Sequence, residues 1–329
     1  MDPWILTVCI VILGLVFDYT NGFHDAANVV STVIATRVLA PFAAIVLACV
    51  LNTIGASQVS AIATTITSGL VQNEGLSQYA ILSALIGAIV WNIITWYFGM
   101  PSSSSYALVG GLIGATMQSS GVDKVLWNGV VYKVLIPMVV SPFLGCFVAF
   151  GLMKALRQFH RNKPPASLDK LYGHMQIGSA SIIALSHGLN DAQKSMGIIT
   201  LGLFASKAIP TAAVPWWVIV LCALVMGLGT ASGGMRIIKT VGFSITKLRT
   251  MQGFASELSA SLVILSASIF GMPISSTHMI VGSVTGVGAA HDVREVRWGI
   301  MKNLSLVWTL TLPGAAVVAA LLSYLFSFI

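Results

Sequence analysis

Charge is scarce in this chain. Asp, Glu, Lys and Arg make up 8% of its 329 residues, where soluble domains carry about 25%. Apolar residues make up 56% and the mean hydropathy is +0.90. So few charges cannot cover a water-exposed surface, which excludes a soluble globular protein and leaves a polytopic membrane protein. Long polar stretches are missing too: none exceeds roughly twenty-five residues, well short of the ~50 a soluble domain needs. Cys9, Cys49, Cys146 and Cys222 stand singly in apolar runs without metal-ligand spacing. They read as small packing residues and carry no message about redox compartment. No P-loop appears, which argues against ATP drive within the chain. No metal cluster or nucleophile–base pair points to an enzyme or to a resident cofactor. Trp4 to Val16 lacks a basic n-region and a small-residue cleavage site, so it is expected to be the first span rather than a signal peptide.

The net charge of +7 would suggest nucleic acid in a soluble protein. Here the bases collect in loops, the pattern of cytoplasmic loops of membrane proteins, and no nucleic-acid partner is expected. Lys154, Arg157, Arg161, Lys163 and Lys170, around Pro164-Pro165, divide the chain almost in half. Arg236, Lys239, Lys247 and Arg249 form a second cluster, and Arg294, Arg297 and Lys302 a third. The loop around Glu74 carries only an acid. These charges fit a first repeat over 1–150, a basic cytoplasmic loop over 151–174 and a second repeat over 175–329. Spans are expected near 4–36, 39–71, 79–98, 103–120 and 125–150. The second set lies near 175–205, 214–231, 251–270, 273–290 and 303–328. Five crossings per half is an odd number, so the halves must have opposite orientations. The predicted fold is an all-α multi-pass protein of two inverted-topology repeats with broken helices at the midplane. Both termini are expected outside the cell membrane, with the lipid bilayer around the bundle.

Residue matches support the duplication. Asn21-Gly22-Phe23-His24-Asp25-Ala26-Ala27-Asn28 is echoed by His187-Gly188-Leu189-Asn190-Asp191-Ala192-Gln193-Lys194, with Asp191 offset from Asp25 by 166. Gly99-Met100-Pro101-Ser102-Ser103-Ser104-Ser105 is echoed by Gly271-Met272-Pro273-Ile274-Ser275-Ser276-Thr277 at an offset of 172, and Pro142 by Pro313 at 171. Three motifs in the same order at near-constant offsets are hard to obtain by chance.

Each acid of the first pair follows a glycine midway along about thirty apolar residues, where a spanning helix needs only ~20. An ionisable residue at that depth reads as an ion or substrate site, and matching positions in two halves point to a secondary transporter. Around Asp25 stand Asn21, Asn28 and the backbone carbonyls that a glycine-bearing break would free; around Asp191 stand Asn190 and Gln193. Hard oxygen ligands of this type suit a small cation such as Na⁺ held by Asp25 and Asp191, and protonation of the acids is the other solution. The bland reading is two satisfied acids bracing interhelical hydrogen bonds.

In the second pair, a proline at a helix start is followed by hydroxyls. The free N–H groups of a first turn carry about half a positive charge and accept a tetrahedral oxyanion. Two inverted copies would aim Ser103, Ser104, Ser105, Ser275, Ser276 and Thr277 at one point near the midplane. Ordinary capping is the plain alternative. Lys194, one turn after Asp191, is an i,i+3 ion-pair partner or a group facing the anion; its first-half counterpart is Asn28. Asp18 lies seven residues before Asp25 on the same helical face and either tunes the site or sits nearer water. Glu257 is an interfacial cap or a transport residue, and His24, His187 and His278 are hydrogen-bonding bridges or proton carriers.

The chemistry implied is symport of a tetrahedral anion with cations by alternating access. At this point the chain resembles the PiT family of inorganic phosphate transporters. Gly22 to Asn28 and Gly188 to Ile199 are similar to that family's paired signatures, as are Gly229-Thr230…Gly233-Gly234-Met235-Arg236 and Pro273…Thr277-His278. The resemblance covers nearly the whole chain. It implies a low-affinity phosphate symporter driven by Na⁺ or H⁺, with 10–12 spans in inverted halves, often a homodimer. By motif, Asp25, Asn28, Asn190 and Asp191 would serve cation binding, and the six hydroxyl residues would hold phosphate. His24 stands where the family often has Asn, which leaves proton coupling open. A sulfate permease on the same scaffold and a passive anion channel are the rival readings.

Overall fold

The structure, a computed structural model, describes residues 2–58, 61–72 and 76–328. The acid-only loop at Glu74 lies outside the described residues. Among the described residues the regular structure is all helical, apart from one isolated bridge between Val71 and Val125. In order come α1 (Pro3–Ala35), α2 (Pro41–Ala56), α3 (Ala61–Ser68), α4 (Gln78–Tyr97) and α5 (Ser104–Ser119). A 3₁₀ turn leads to α6 (Trp127–Val130), which runs through a π-helical turn into α7 (Ile136–Phe159). Next stand α8 (Pro165–Ala205), α9 (Trp216–Ser232), α10 (Met235–Lys239), α11 (Thr250–Ile269) and α12 (Ser276–His291). A second 3₁₀ turn precedes α13 (Trp298–Phe326).

The order of elements in 3–159 recurs in 165–326: a long helix, a bent pair, a helix, a 16-residue helix, a 3₁₀ turn and a long helix. The bends are 69° between α2 and α3 and 61° at the break after α9. Matching ends repeat as well. Gly99 and Gly271, each at φ +65°, close α4 and α11 in the left-handed conformation that glycine adopts without a Cβ penalty. Of the basic stretch 151–174, only 160–164 lies between helices; Lys154 and Arg157 ride on the end of α7 and Lys170 on the start of α8.

By length and apolarity, four described helices can each cross a membrane, or six if each bent pair forms one span. At 16 residues, α5 and α12 are about 24 Å long, short of the ~30 Å hydrocarbon core. Apolar side chains occupy the outside as well as the core, and a polar cluster lies within. Phe42, Phe143, Phe147, Leu228 and Leu321 face outward, while Asp18, Asp25, Asp191, Lys194 and Glu257 are buried.

One sequence expectation is corrected. Gly22 and Gly188 do not break their helices; α1 and α8 run continuously past both. The missing Cβ serves close helix approach instead. A Cβ at Gly22 would stand 2.7 Å from the Met226 carbonyl oxygen of α9, and one at Gly188 would stand 2.2 Å from that of Asn52 on α2. The irregular backbone falls elsewhere, in the extended segments that enter α5 and α12.

Those two short helices are gripped across the halves. Gly110 and Gly114 on α5 press on Leu312 and Ala316 of α13, and Gly282 and Gly286 on α12 press on Pro142 and Cys146 of α7. Small residues four apart let membrane helices meet backbone to backbone. An added Cβ would lie 2.1 Å from the Ala316 carbonyl oxygen at Gly114, and 2.2 Å from that of Cys146 at Gly286. Gly114→Ala and Gly286→Ala should therefore each cost about 1–3 kcal/mol through overpacking. Thermal unfolding in detergent should show both melting lower, while Gly151→Ala, with nothing within 4 Å of its Cβ, melts as the wild type does.

Candidate functional site

The polar residues of α1 form one stripe. Asp18, Asn21, Asp25, Asn28 and Thr32 recur at spacings of three and four, the period that stacks side chains on one helix face. All five are buried, so with no water in hydrocarbon their hydrogen bonds must come from neighbouring helices. Those helices include α5 and α12, which begin beside the stripe.

Ser103 and Ser275 are the N-caps of α5 and α12. Their hydroxyls accept the backbone N–H of Tyr106 at 3.3 Å and of His278 at 3.2 Å. Capping therefore accounts for these two hydroxyls, while the next residue of each helix turns to an acid. The Ser104 hydroxyl donates to Asp25 Oδ2 at 2.8 Å and is also bonded to the Asn21 side-chain oxygen. The Ser276 hydroxyl donates to Asp191 Oδ2 at 2.7 Å. Each half thus places the start of its own 16-residue helix on its own aspartate.

A second set of bonds crosses between halves. Asn28 Nδ2 donates to the hydroxyls of Thr277 at 2.9 Å and Ser276 at 3.3 Å, and the Thr277 hydroxyl donates to Asp25 Oδ1 at 3.3 Å. Lys194, the counterpart of Asn28, reaches the other way. Its Nζ donates to the Ser105 hydroxyl at 2.5 Å and the Ile274 carbonyl at 3.1 Å, and it is ion-paired with Asp191 Oδ1. Asn28 and Lys194 each tie their helix to the opposite half's helix start.

Histidines complete the pattern. His24 Nδ1 is 2.8 Å from Asp25 Oδ1, while its Nε2 is 3.1 Å from the Thr95 hydroxyl and 3.3 Å from that of Ser102. His187 Nε2 is 2.8 Å from Asp191 Oδ2, one helical turn away. One ligand atom from each of Asp25, His187 and Asp191 falls within 4.8 Å of the others. Oxygens on opposite sides of a hard cation stand roughly 4.6–5.2 Å apart, so this group has the span to hold one. His187 was legible in sequence as a bridge or a proton carrier; its i,i+4 spacing to Asp191 is the signal that joins it to the site. His278 stands apart, its ring 5.2 Å from Tyr106 and 4.1 Å from Trp308.

Other sequence candidates lie off this cluster. Asn190 turns to α11, donating to the Ser268 hydroxyl at 3.0 Å. Glu257 does not cap a helix; it stands within α11, fully buried in a second polar cluster. It receives the Thr32 hydroxyl at 2.5 Å, the Gln176 amide at 3.0 Å and the Ser179 hydroxyl. A cavity of about 610 Å³ between α7, α12 and α13 is lined by Met138, Phe143, Trp298 and Trp308. It touches His278 but none of the carboxylates, and its apolar wall suits no oxyanion.

Comparison with known proteins follows the same lines. A model described as the phosphate transporter family matches residues 21–319. A probable low-affinity inorganic phosphate transporter of Mycobacterium tuberculosis is 43% identical over 318 residues, covering 96% of this chain and 76% of that protein. One of Bacillus subtilis with the same description is 40% identical over 328 residues, covering 99% and 98%. A solved structure described as the sodium-dependent phosphate transporter superposes with a TM-score of 0.88 at 25% identity, covering 98% of this chain and 99% of that one.

Lys194 carries the electrostatic weight of the second acid. Removing one partner of a buried ion pair leaves an uncompensated charge and costs about 3–5 kcal/mol. Lys194→Met should therefore lower the unfolding temperature sharply, and adding Asp191→Asn should recover most of the loss. Equal melting of the single and double variants would contradict this balance.

Proposed function

This chain belongs to the phosphate transporter family, and on that premise we propose that it imports inorganic phosphate together with Na⁺ or H⁺ by alternating access. The observation that carries the reading is the twin arrangement of Ser104 on Asp25 and Ser276 on Asp191. It brings two helix starts, two acids and the Lys194 ammonium into one buried cluster.

The two ligand types complement each other chemically. The first turns of α5 and α12 offer backbone N–H groups and the hydroxyls of Ser104, Ser105, Ser276 and Thr277, with Lys194 between them, to phosphate oxygens. Asp25, Asp191, Asn21 and Asn28 offer oxygens to a cation. In the arrangement seen, the serine hydroxyls donate to the carboxylates. When a cation neutralises the carboxylates, those hydroxyls are released to donate to phosphate, so that cation binding favours anion binding. Ser103 and Ser275 act through their caps, by fixing the direction of each helix start.

A phosphate dianion moving into a negative-inside cell works against about 2.3 kcal/mol per charge per 100 mV. Two or more accompanying cations remove that opposition and supply the drive. The sodium-dependent description belongs to the structural relative, and it favours Na⁺ as one of the cations here. Alternating access is served by the recurring element order, read as two halves of opposite orientation, with both termini outside the cell membrane and the central basic segment cytoplasmic. A homodimer in the bilayer completes the proposed assembly. Sulfate transport draws no support from the relatives named above, all described as phosphate carriers. A passive channel leaves the paired acids without a purpose.

Radiolabelled phosphate uptake into proteoliposomes tests the reading. Asp25→Asn and Asp191→Asn should each abolish concentrative uptake while the protein stays folded and inserted, and excess sulfate should leave wild-type uptake unchanged. Near-normal uptake by either variant would remove the cation role of that aspartate, and competition by sulfate would overturn the substrate.

A further inference from the structure

Four carboxylates are buried among the described residues: Asp18, Asp25, Asp191 and Glu257. Three of them receive hydrogen bonds from hydroxyls or amides of other helices. Asp18 is fully enclosed, and no hydrogen bond of ordinary geometry reaches either of its oxygens. It stands two turns before Asp25 on the polar stripe of α1, ~10 Å along the helix axis.

The groups facing it are few. From α8 comes Ser195, one turn beyond Asp191, whose hydroxyl is the nearest group able to bond Asp18 and has no other partner, and the Asp191 carboxylate is near enough to repel a second negative charge. From α9 comes the Cys222 thiol. No Lys, Arg or His among the described residues forms an ion pair or hydrogen bond with it. One turn earlier on α1 the wall is tight, since a Cβ at Gly14 would meet the Ile199 side chain at 2.3 Å.

An ionised carboxylate in such a place has no counter-ion and at most the one Ser195 hydroxyl to offset its lost hydration, a cost that buried acids escape by taking up a proton. A metal cation finds little better: one carboxylate, one hydroxyl and a soft thiol fall short of the oxygen shell a hard cation takes. We propose that Asp18 is a proton site, separate from the Asp25–Asp191 cluster, and that its proton is one of the cations moved with the anion. Closed off as here, the side chain is a neutral acid whose O–H meets Ser195. When a conformational change admits water, the O–H bond breaks and the proton passes to solvent on that side; on the return, a proton from the other side restores it. The asymmetry of the repeat agrees with a dedicated role, because Ala184 occupies the matching position of α8.

The transport half of this inference rests on the symport reading above, whereas the protonation half does not. Infrared difference spectra of the purified protein in lipid, wild type minus Asp18→Asn at neutral pH, should show a carboxylic-acid carbonyl band that shifts in D₂O. Absence of that band means an ionised Asp18 and overturns the proposal whatever the protein transports. In proteoliposomes, Asp18→Asn should lose the stimulation of phosphate uptake by an inward pH gradient, and Asp18→Glu, which keeps the carboxyl, should retain it. Ser195→Ala should shift the pH at which the infrared band titrates. If Asp18→Asn is stimulated by the pH gradient as the wild type is, the proton on Asp18 does not travel and the proposal falls. Wild-type uptake that ignores the pH gradient altogether refutes proton coupling at Asp18, even where Na⁺-driven uptake upholds the symport reading.

Discussion

Two aspartates brought together in a water-poor interior set the terms for the rest of the structure. Asp25 and Asp191 present oxygens within 4.8 Å of each other and of a His187 nitrogen. Like charges at that distance repel by about 3 kcal/mol even at an effective dielectric of 20, before the cost of burial is counted. Every polar element nearby answers that constraint. Lys194 supplies a positive charge, His24 and His187 lie against one acid each, and the first turns of α5 and α12 supply hydroxyls. Those helix starts bring roughly half a positive charge apiece. The cluster is thus held together by compensation among groups from both halves of the chain, and the proposed mechanism has a transported ion take the place of some of them.

The two short helices can answer the acids only because they are aimed correctly. Ser103 and Ser275 cap them, Gly99 and Gly271 turn the chain into them, and glycines along their lengths let α13 and α7 grip their backbones. The grip crosses from one half of the chain to the other, as do the bonds of Asn28 and Lys194. A movement of one half against the other therefore strains these cross-half contacts first, while the Ser104–Asp25 and Ser276–Asp191 pairs travel within their own halves. Alternating access needs such a division between what moves together and what exchanges.

Much of this was legible in the sequence, for reasons that differ by residue. Paired acids and paired hydroxyl runs at offsets of 166 and 172 stand out because apolar chain tolerates polar residues only where they serve something. Gly22 and Gly188 were misread because glycine has two uses, helix breaking and close approach, and only the position of α9 and α2 decides between them. Which hydroxyls cap and which face the acids depends on where each helix begins, a matter of one residue. Glu257 on α11 gathers Thr32 from α1 and Gln176 and Ser179 from α8, and no local pattern announces such a meeting of helices far apart in sequence. Asn190, adjacent to Asp191, points to α11 simply because neighbours on a helix face different directions.

The central claim is that anion and cation sites share one cluster, so each ligand must alter the other's affinity. Equilibrium binding of labelled phosphate to the purified protein, measured across Na⁺ concentration and pH, addresses this without any transport. A coupling of the usual 1–3 kcal/mol would tighten phosphate binding about 5- to 150-fold when the cation is supplied, and phosphate would tighten cation binding by the same factor. Phosphate affinity that is indifferent to both Na⁺ and pH would contradict the shared cluster, and with it the mechanism built on Asp25 and Asp191.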